Sequence, residues 1–182
     1  FALAAPGARL WGAAGFFYAA VIAFVPSFLR ADPIDGLLSM LLLYGVVWGT
    51  DIGSYFTGRA LGGPKLWPRL SPKKTWSGLI GGVLSGVALA WVFFWLHDRL
   101  ASTDGLPALS GPWAWRLSAF LAACALVSQG GDLLESAIKR RFDAKDASQL
   151  IPGHGGLMDR LDGFWAASIL FAAVMEIAEI AQ

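Results

Sequence analysis

Charge is what this sequence has least of. Only 15% of its 182 residues are charged, against 56% hydrophobic, where a soluble domain carries about 25% charged residues. Polar groups could not cover the surface of such a fold, which excludes a water-soluble monomer. So apolar a chain is not intrinsically disordered either. The balance of 14 Lys and Arg against 13 acids leaves a net charge of +1, which excludes a nucleic-acid binder relying on a strong basic field. Cysteine is nearly absent: Cys124 alone, inside an apolar run, permits neither an intramolecular disulfide nor a Cys-rich zinc site. It reads as a small packing side chain. No Walker A pattern occurs, so a P-loop ATPase has no support. No charged stretch precedes a short apolar run at the start, and no signal peptide is expected.

What is abundant is apolar and aromatic, with nine Trp, twelve Phe and a mean hydropathy of +0.57. Five runs stand out: Leu10 to Leu29, Leu37 to Tyr55, Gly78 to Leu96, Trp113 to Leu134 and Leu157 to Ile180. Each is near the ~20 residues a helix needs to cross about 30 Å of hydrocarbon. The expected fold is therefore all-α, a polytopic membrane helix bundle with about five transmembrane helices and polar active-site loops at the cytoplasmic face. Proline, glycine and charge mark the connections. Small residues recur four apart, Gly45, Gly49 and Gly53 in the second run and Gly78, Gly82 and Gly86 in the third. This spacing lets two helix backbones approach closely in lipid.

Arg59, Lys65, Arg69, Lys73 and Lys74 fall in the second connection without an acid, and Lys139, Arg140, Arg141 and Lys145 precede or enter the fourth. The first and third set Arg30 and Arg99 against Asp32, Asp35, Asp98 and Asp104. The excess of cations places connections two and four in the cytoplasm, the N-terminus inside and the C-terminus outside. An odd span count and a start at Phe1 read as an N-terminally truncated transmembrane catalytic portion over residues 1–182, with its core motifs at 48–82 and 131–163.

Ionisable groups within spans default to functional roles. If the fourth helix continues through Lys139, Arg140 and Arg141 at headgroup level, Asp132 lies about 10 Å deeper, facing the bundle interior. Ser136 and Lys139 follow it on the same helix face. Asp51 has the same placement in the second run, eight residues before Arg59. Asp159 and Asp162 share a face at the start of the last helix, beside His154 and its glycines. Carboxylates from different helices suit Mg²⁺, a hard cation taking oxygen ligands, and the neighbouring cations suit phosphate. Together they suggest metal-assisted phosphoryl or nucleotidyl transfer. The plainer readings are that Asp159 and Asp162 complement a helix dipole, that Lys139 to Arg141 set topology, and that His154 is a turn residue.

The run from Ser136 to Asp162, SAIKRRFDAKDASQLIPGHGGLMDRLD, closely resembles the signature of phosphatidate cytidylyltransferases, or CDP-diacylglycerol synthases. Ser136, Lys139, Arg140, Lys145, Asp146, Pro152, His154, Gly155, Gly156, Asp159, Arg160 and Asp162 fill its fixed positions. WGTDIGSYFTGR from Trp48, LSPKKTWSGLIGG from Leu70, and Gly131-Asp132-Leu133 with Glu135 and Ser136 are similar to further family motifs. Ser77 stands where members commonly carry Glu. The resemblance covers about residues 40–175.

It implies an integral protein of the bacterial inner membrane that condenses CTP with phosphatidate, giving CDP-diacylglycerol and pyrophosphate in phospholipid biosynthesis. It implies Mg²⁺, with a second metal or a monovalent cation as a further candidate, held by Asp132, Asp159 and Asp162. Asp146 and Asp51 are weaker candidate ligands. Lys139, Arg140, Lys145 and Arg160 become phosphate clamps, and His154 with Gly155 and Gly156 a loop approaching the nucleotide. Asp51, Arg59, Lys73, Lys74, Thr75 and Ser136 become contacts to CTP or the lipid headgroup. The expected partners are CTP, phosphatidate and membrane lipids, with a homodimer as a candidate assembly and no nucleic acid. A CDP-alcohol phosphotransferase fits poorly, because Asp162-Gly163 lacks the Ala-Arg that should follow. A transporter using Asp51, Asp132 and Asp159 as an ion relay lacks the expected broken-helix repeat. A scaffold without activity is the remaining alternative. Seventeen of the 27 charged side chains lie in three stretches, 51–74, 132–146 and 159–162, so the scarce charge is concentrated.

Overall fold

The structure is a computed structural model. It describes residues 6–32, 35–101, 112–142 and 158–180, the side chains of 6–10, 101, 158–160 and 178–180 excepted. Five helices follow the five apolar runs: α1 (Pro6–Ala31), α2 (Gly36–Leu61), α3 (Trp76–Ala101), α4 (Pro112–Arg141) and α5 (Met158–Ile180). Four stretches, Trp11–Ala31, Gly36–Leu61, Trp76–Leu100 and Pro112–Arg141, are long and apolar enough to cross a membrane, the makeup of an integral membrane protein. At 1.5 Å per residue α2 is about 39 Å long, so its ends reach headgroup depth. α4 continues without a break through Lys139, Arg140 and Arg141, as the depth argument for Asp132 requires.

α2 is the axis of the bundle. In its span 61% is buried, against 6% for α1, and Leu43, Val46, Leu121, Ala125, Phe164 and Phe171 form the centre of one core. Phe16, Phe17, Phe24 and Phe28 of α1 are exposed. In water such a face would aggregate; against acyl chains it has no cost.

The glycine spacing does what it predicts. A Cβ on Gly49 would lie 2.8 Å from the Cα of Gly86, and one on Gly45 2.9 Å from the Cα of Ala90. The two backbones therefore touch along the α2–α3 seam. α3 is fastened to α4 by Trp91 Nε1, which donates to Ser118 Oγ at 3.0 Å. α4 meets α5 where a Cβ on Gly131 would lie 2.6 Å from the Asp162 carbonyl oxygen.

The second connection departs from an all-helical reading. It closes into a short antiparallel hairpin, β1 (Lys65–Trp67) with β2 (Ser71–Thr75), pairing Lys65 with Thr75 and Trp67 with Ser71. α2 ends where Gly62 adopts φ +62°, a conformation open to glycine. α3 starts where Thr75 Oγ1 accepts the Gly78 N–H at 3.1 Å, an N-cap. Ser77 ties the two ends together: its hydroxyl donates to the Gly62 carbonyl and lies 3.0 Å from Thr75 Oγ1.

Candidate active site

A cavity of about 650 Å³ opens where the end of α2, the hairpin, the start of α3 and one turn of α4 meet. Ser54, Tyr55, Gly58 and Arg59 line it from α2, Lys65, Lys73, Lys74 and Thr75 from the hairpin, Gly78 and Leu79 from α3, and Gln129 from α4. Among the described residues four cations and no acid line it, so its field favours a multiply charged anion. The hairpin explains the gathering of charge. Pairing Lys65 with Thr75 sets Lys65 beside Lys73 and Lys74, and Arg59 reaches them from the last turn of α2. Arg59 Nη1 donates to the Tyr55 hydroxyl at 3.0 Å, one turn back.

Lys74 joins this basic cavity to an acidic cluster. Its Nζ lies 2.9 Å from Asp132 Oδ2 and 3.3 Å from the Gln129 carbonyl oxygen, with both side chains of the ion pair about one-fifth exposed. Asp132 Oδ1 faces Gly163 on α5, where a Cβ would come within 2.8 Å of it. Asp162 sits beside both Asp132 and Glu135, and Asp51 of α2 is close enough to feel the charges of Asp132, Asp162 and Lys74. Glu135 Oε2 accepts from Lys139 at 3.2 Å. Buried Glu135 Oε1 and Ser128 Oγ have no hydrogen-bond partner among the described residues. Carboxylates from α4 and α5 thus meet with fewer donors among the described residues than their oxygens need.

The second connection, the C-terminal half of α4 and the first turns of α5 lie at one end of the bundle: Lys74 binds Asp132 of α4, which faces Gly163 of α5. Of the predicted site residues, Asp132 and Asp162 stand side by side, Asp51 is exposed on α2 within range of their charges, and Arg59, Lys73, Lys74 and Thr75 line one cavity. Lys139 differs in detail. It is expected in a row with Asp132 and Ser136, and its ammonium instead meets Glu135, the intervening residue four positions back. Ser136 is half-buried and Arg140 exposed on the same helix. Lys145, Asp146, His154, Gly155 and Gly156 lie outside the described residues. Asp159 and Arg160 are in the first turn of α5, with side chains outside them. Ser77 does not line the cavity.

Glu135 and Tyr55 stand inside motifs of the sequence without a role assigned to them, and Gln129 stands outside those motifs. Glu135 is legible as a third acid at i+3 from Asp132. Tyr55 is legible only as i−4 from Arg59. Gln129 contributes a backbone carbonyl, which no residue type reveals.

The chain matches the Cytidylyltransferase family over residues 7–178. It belongs to that family. Among curated relatives, the phosphatidate cytidylyltransferase of Brucella suis is 48% identical over 162 residues, 89% of this chain and 56% of the relative. That of Haemophilus influenzae is 38% identical over 167 residues, 86% of this chain and 54% of the relative. That of Bacillus subtilis is 40% identical over 129 residues, 71% and 44%. The chain spans about half the length of the curated relatives it matches.

Proposed function

We propose that this chain provides the reaction centre that condenses CTP with phosphatidate to give CDP-diacylglycerol and pyrophosphate. The observation that carries this reading is the junction of the four-cation cavity and the carboxylate cluster through Lys74. In the reaction a phosphatidate phosphate oxygen attacks the α-phosphorus of CTP. The new P–O bond forms as the bond from the α-phosphorus to the α,β-bridging oxygen breaks, and pyrophosphate leaves. The attacking oxygen is already ionised, so no covalent nucleophile or strong base is needed. The barrier is mainly charge repulsion and positioning. Arg59, Lys65, Lys73 and Lys74 offset that repulsion by gathering the phosphates, and the 650 Å³ cavity is large enough for a nucleotide.

The residues also fit Mg²⁺. Asp162 faces Asp132 and Glu135 carboxylate to carboxylate, and Glu135 Oε1 has no donor among the described residues, a setting that suits a cation or a proton between them. No three of the described His, Cys, Asp and Glu side chains form a ready-made cage. Mg²⁺ does not require one, because it binds through one or two carboxylates and keeps waters or substrate phosphates. Asp132 and Asp162 would hold it, with Asp159 as the third ligand. When bound, it neutralises charge on the phosphate oxygens. Lys74 answers to both sides, holding Asp132 in place and facing the cavity. The cation-rich connections favour a cytoplasmic orientation in a bacterial inner membrane.

The test is Asp132→Asn and Asp159→Asn in membranes supplied with CTP, phosphatidate and Mg²⁺. Each variant is expected to insert normally and lose at least about 100-fold of CDP-diacylglycerol formation. Turnover within a few-fold of the parent in either variant overturns the assignment of that ligand.

A further inference from the structure

Tyr55 belongs to two hollows at once. It lines the basic cavity, and with Phe56, Arg59 and Ala60 it also lines a shallower groove of about 470 Å³ on the outer flank of α2. Among the described residues Arg59 is the only other one common to both. The groove is apolar apart from the two polar tips, and Phe56 is 63% exposed beside Tyr55 at 58%. Tyr55 and Phe56 meet edge to face, ring centres 5.3 Å apart, so the groove has a firm aromatic wall. Tyr55 ends the apolar run of α2 and Arg59 lies one turn, about 6 Å, further on. The groove therefore sits at the depth where acyl chains give way to headgroups.

We propose that Tyr55 is a positioning residue: its hydroxyl holds the Arg59 guanidinium at the threshold between groove and cavity, where it meets the phosphate monoester of a membrane lipid whose chains lie along the groove. This rests on the function proposed above and assigns the lipid substrate its place within it. An arginine at a helix end otherwise swings through many rotamers, and ordering it in advance removes that entropy from the binding step. The hydroxyl occupies one of five N–H donors and leaves the others for a phosphate. A monoester dianion gains more from this fork and the adjacent lysines than a diester monoanion does. Lys65, Lys73 and Lys74, carried by the hairpin, remain for the nucleotide.

The experiment is calorimetric titration of the purified protein in detergent, without turnover. The titrants are dioctanoyl phosphatidate, dioctanoyl phosphatidylglycerol, glycerol 3-phosphate and CTP. The proteins are the parent, Tyr55→Phe and Arg59→Lys. Tyr55→Phe keeps the ring and removes only the hydroxyl. It is expected to weaken phosphatidate binding about fivefold while CTP affinity stays within twofold, and Arg59→Lys to weaken phosphatidate at least as much. The parent is expected to bind glycerol 3-phosphate and the phosphodiester lipid more weakly than phosphatidate. Under turnover, Tyr55→Phe should raise KM for phosphatidate by the same factor with kcat within twofold. A merely helix-stabilising contact would shift the melting temperature and not this ratio. Unchanged phosphatidate affinity in Tyr55→Phe, or an equal loss for CTP, overturns the proposal. Equal affinity for glycerol 3-phosphate removes the groove from it. Failure of the parent to make CDP-diacylglycerol would count against the proposed reaction and leave the binding result to be read separately.

Discussion

The α2–α3 seam and the α4–α5 seam are built with the same device and differ in what they enclose. In both, glycine brings a backbone against its neighbour: Gly49 on Gly86 in the first, Gly131 on Asp162 in the second. Along α2, hydroxyls near the seam are answered within their own helix, Thr50 Oγ1 by the Val46 carbonyl at 2.6 Å and Thr57 Oγ1 by that of Gly53 at 2.7 Å. Between α4 and α5, Ser128 Oγ and Glu135 Oε1 are buried without a partner among the described residues, and Asp132 and Asp162 stand side by side. Unanswered buried polar atoms are costly. A membrane protein concentrates them where a ligand completes them. The first seam is a scaffold, and the second borders the proposed reaction centre.

The largest expected effect breaks the scaffold. Gly49→Leu forces a side chain into a space where even a Cβ lies within 3 Å of backbone atoms, an overpacking cost of about 3 kcal/mol or more. Loss of the monodisperse peak in size-exclusion chromatography, with activity lost alongside, checks it. Next is Lys74→Met, which frees Asp132 Oδ2 from its ammonium. Mn²⁺ binding without nucleotide, followed by electron paramagnetic resonance, should tighten about fivefold, because a competing cation is removed, while KM for CTP rises. Metal affinity at or below the parent's would show that Lys74 does not compete for Asp132. The smallest effect sharpens the contrast. Ser128→Ala removes an unpartnered hydroxyl, so thermal stability should stay within about 0.5 kcal/mol or rise, measured by thermal unfolding in detergent. The same change at Thr50, whose hydroxyl is bonded, should cost about 1 kcal/mol.

Much of this architecture is legible in one dimension. Run lengths show the helices, the glycine spacing shows which faces touch, and the distribution of Lys and Arg shows which end they share. Asp132, Asp162, Lys73 and Lys74 are legible from burial logic and motif. Their pairing is not. Lys74 and Asp132 are 58 positions apart on elements with no common periodicity, and only tertiary packing decides that this lysine and not Lys73 reaches the carboxylate. The hairpin is hidden for a different reason. Ser-Pro-Lys-Lys-Thr carries a proline and only one β-branched residue, so neither alternation nor propensity marks it as a strand. Ser77 shows the converse. A residue conspicuous as a departure from a motif turns out to tie Gly62 to the start of α3.

The acidic cluster takes its parts from residues 51, 74, 132, 135 and 162, so its first and last contributors are 111 positions apart. During synthesis the α2–α3 pair can close as soon as both helices have entered the bilayer, since it needs nothing downstream. The carboxylates cannot meet until α5 arrives. A nascent chain therefore acquires its α2–α3 seam before its carboxylate cluster, and the core that holds Phe164 and Phe171 closes only together with that cluster.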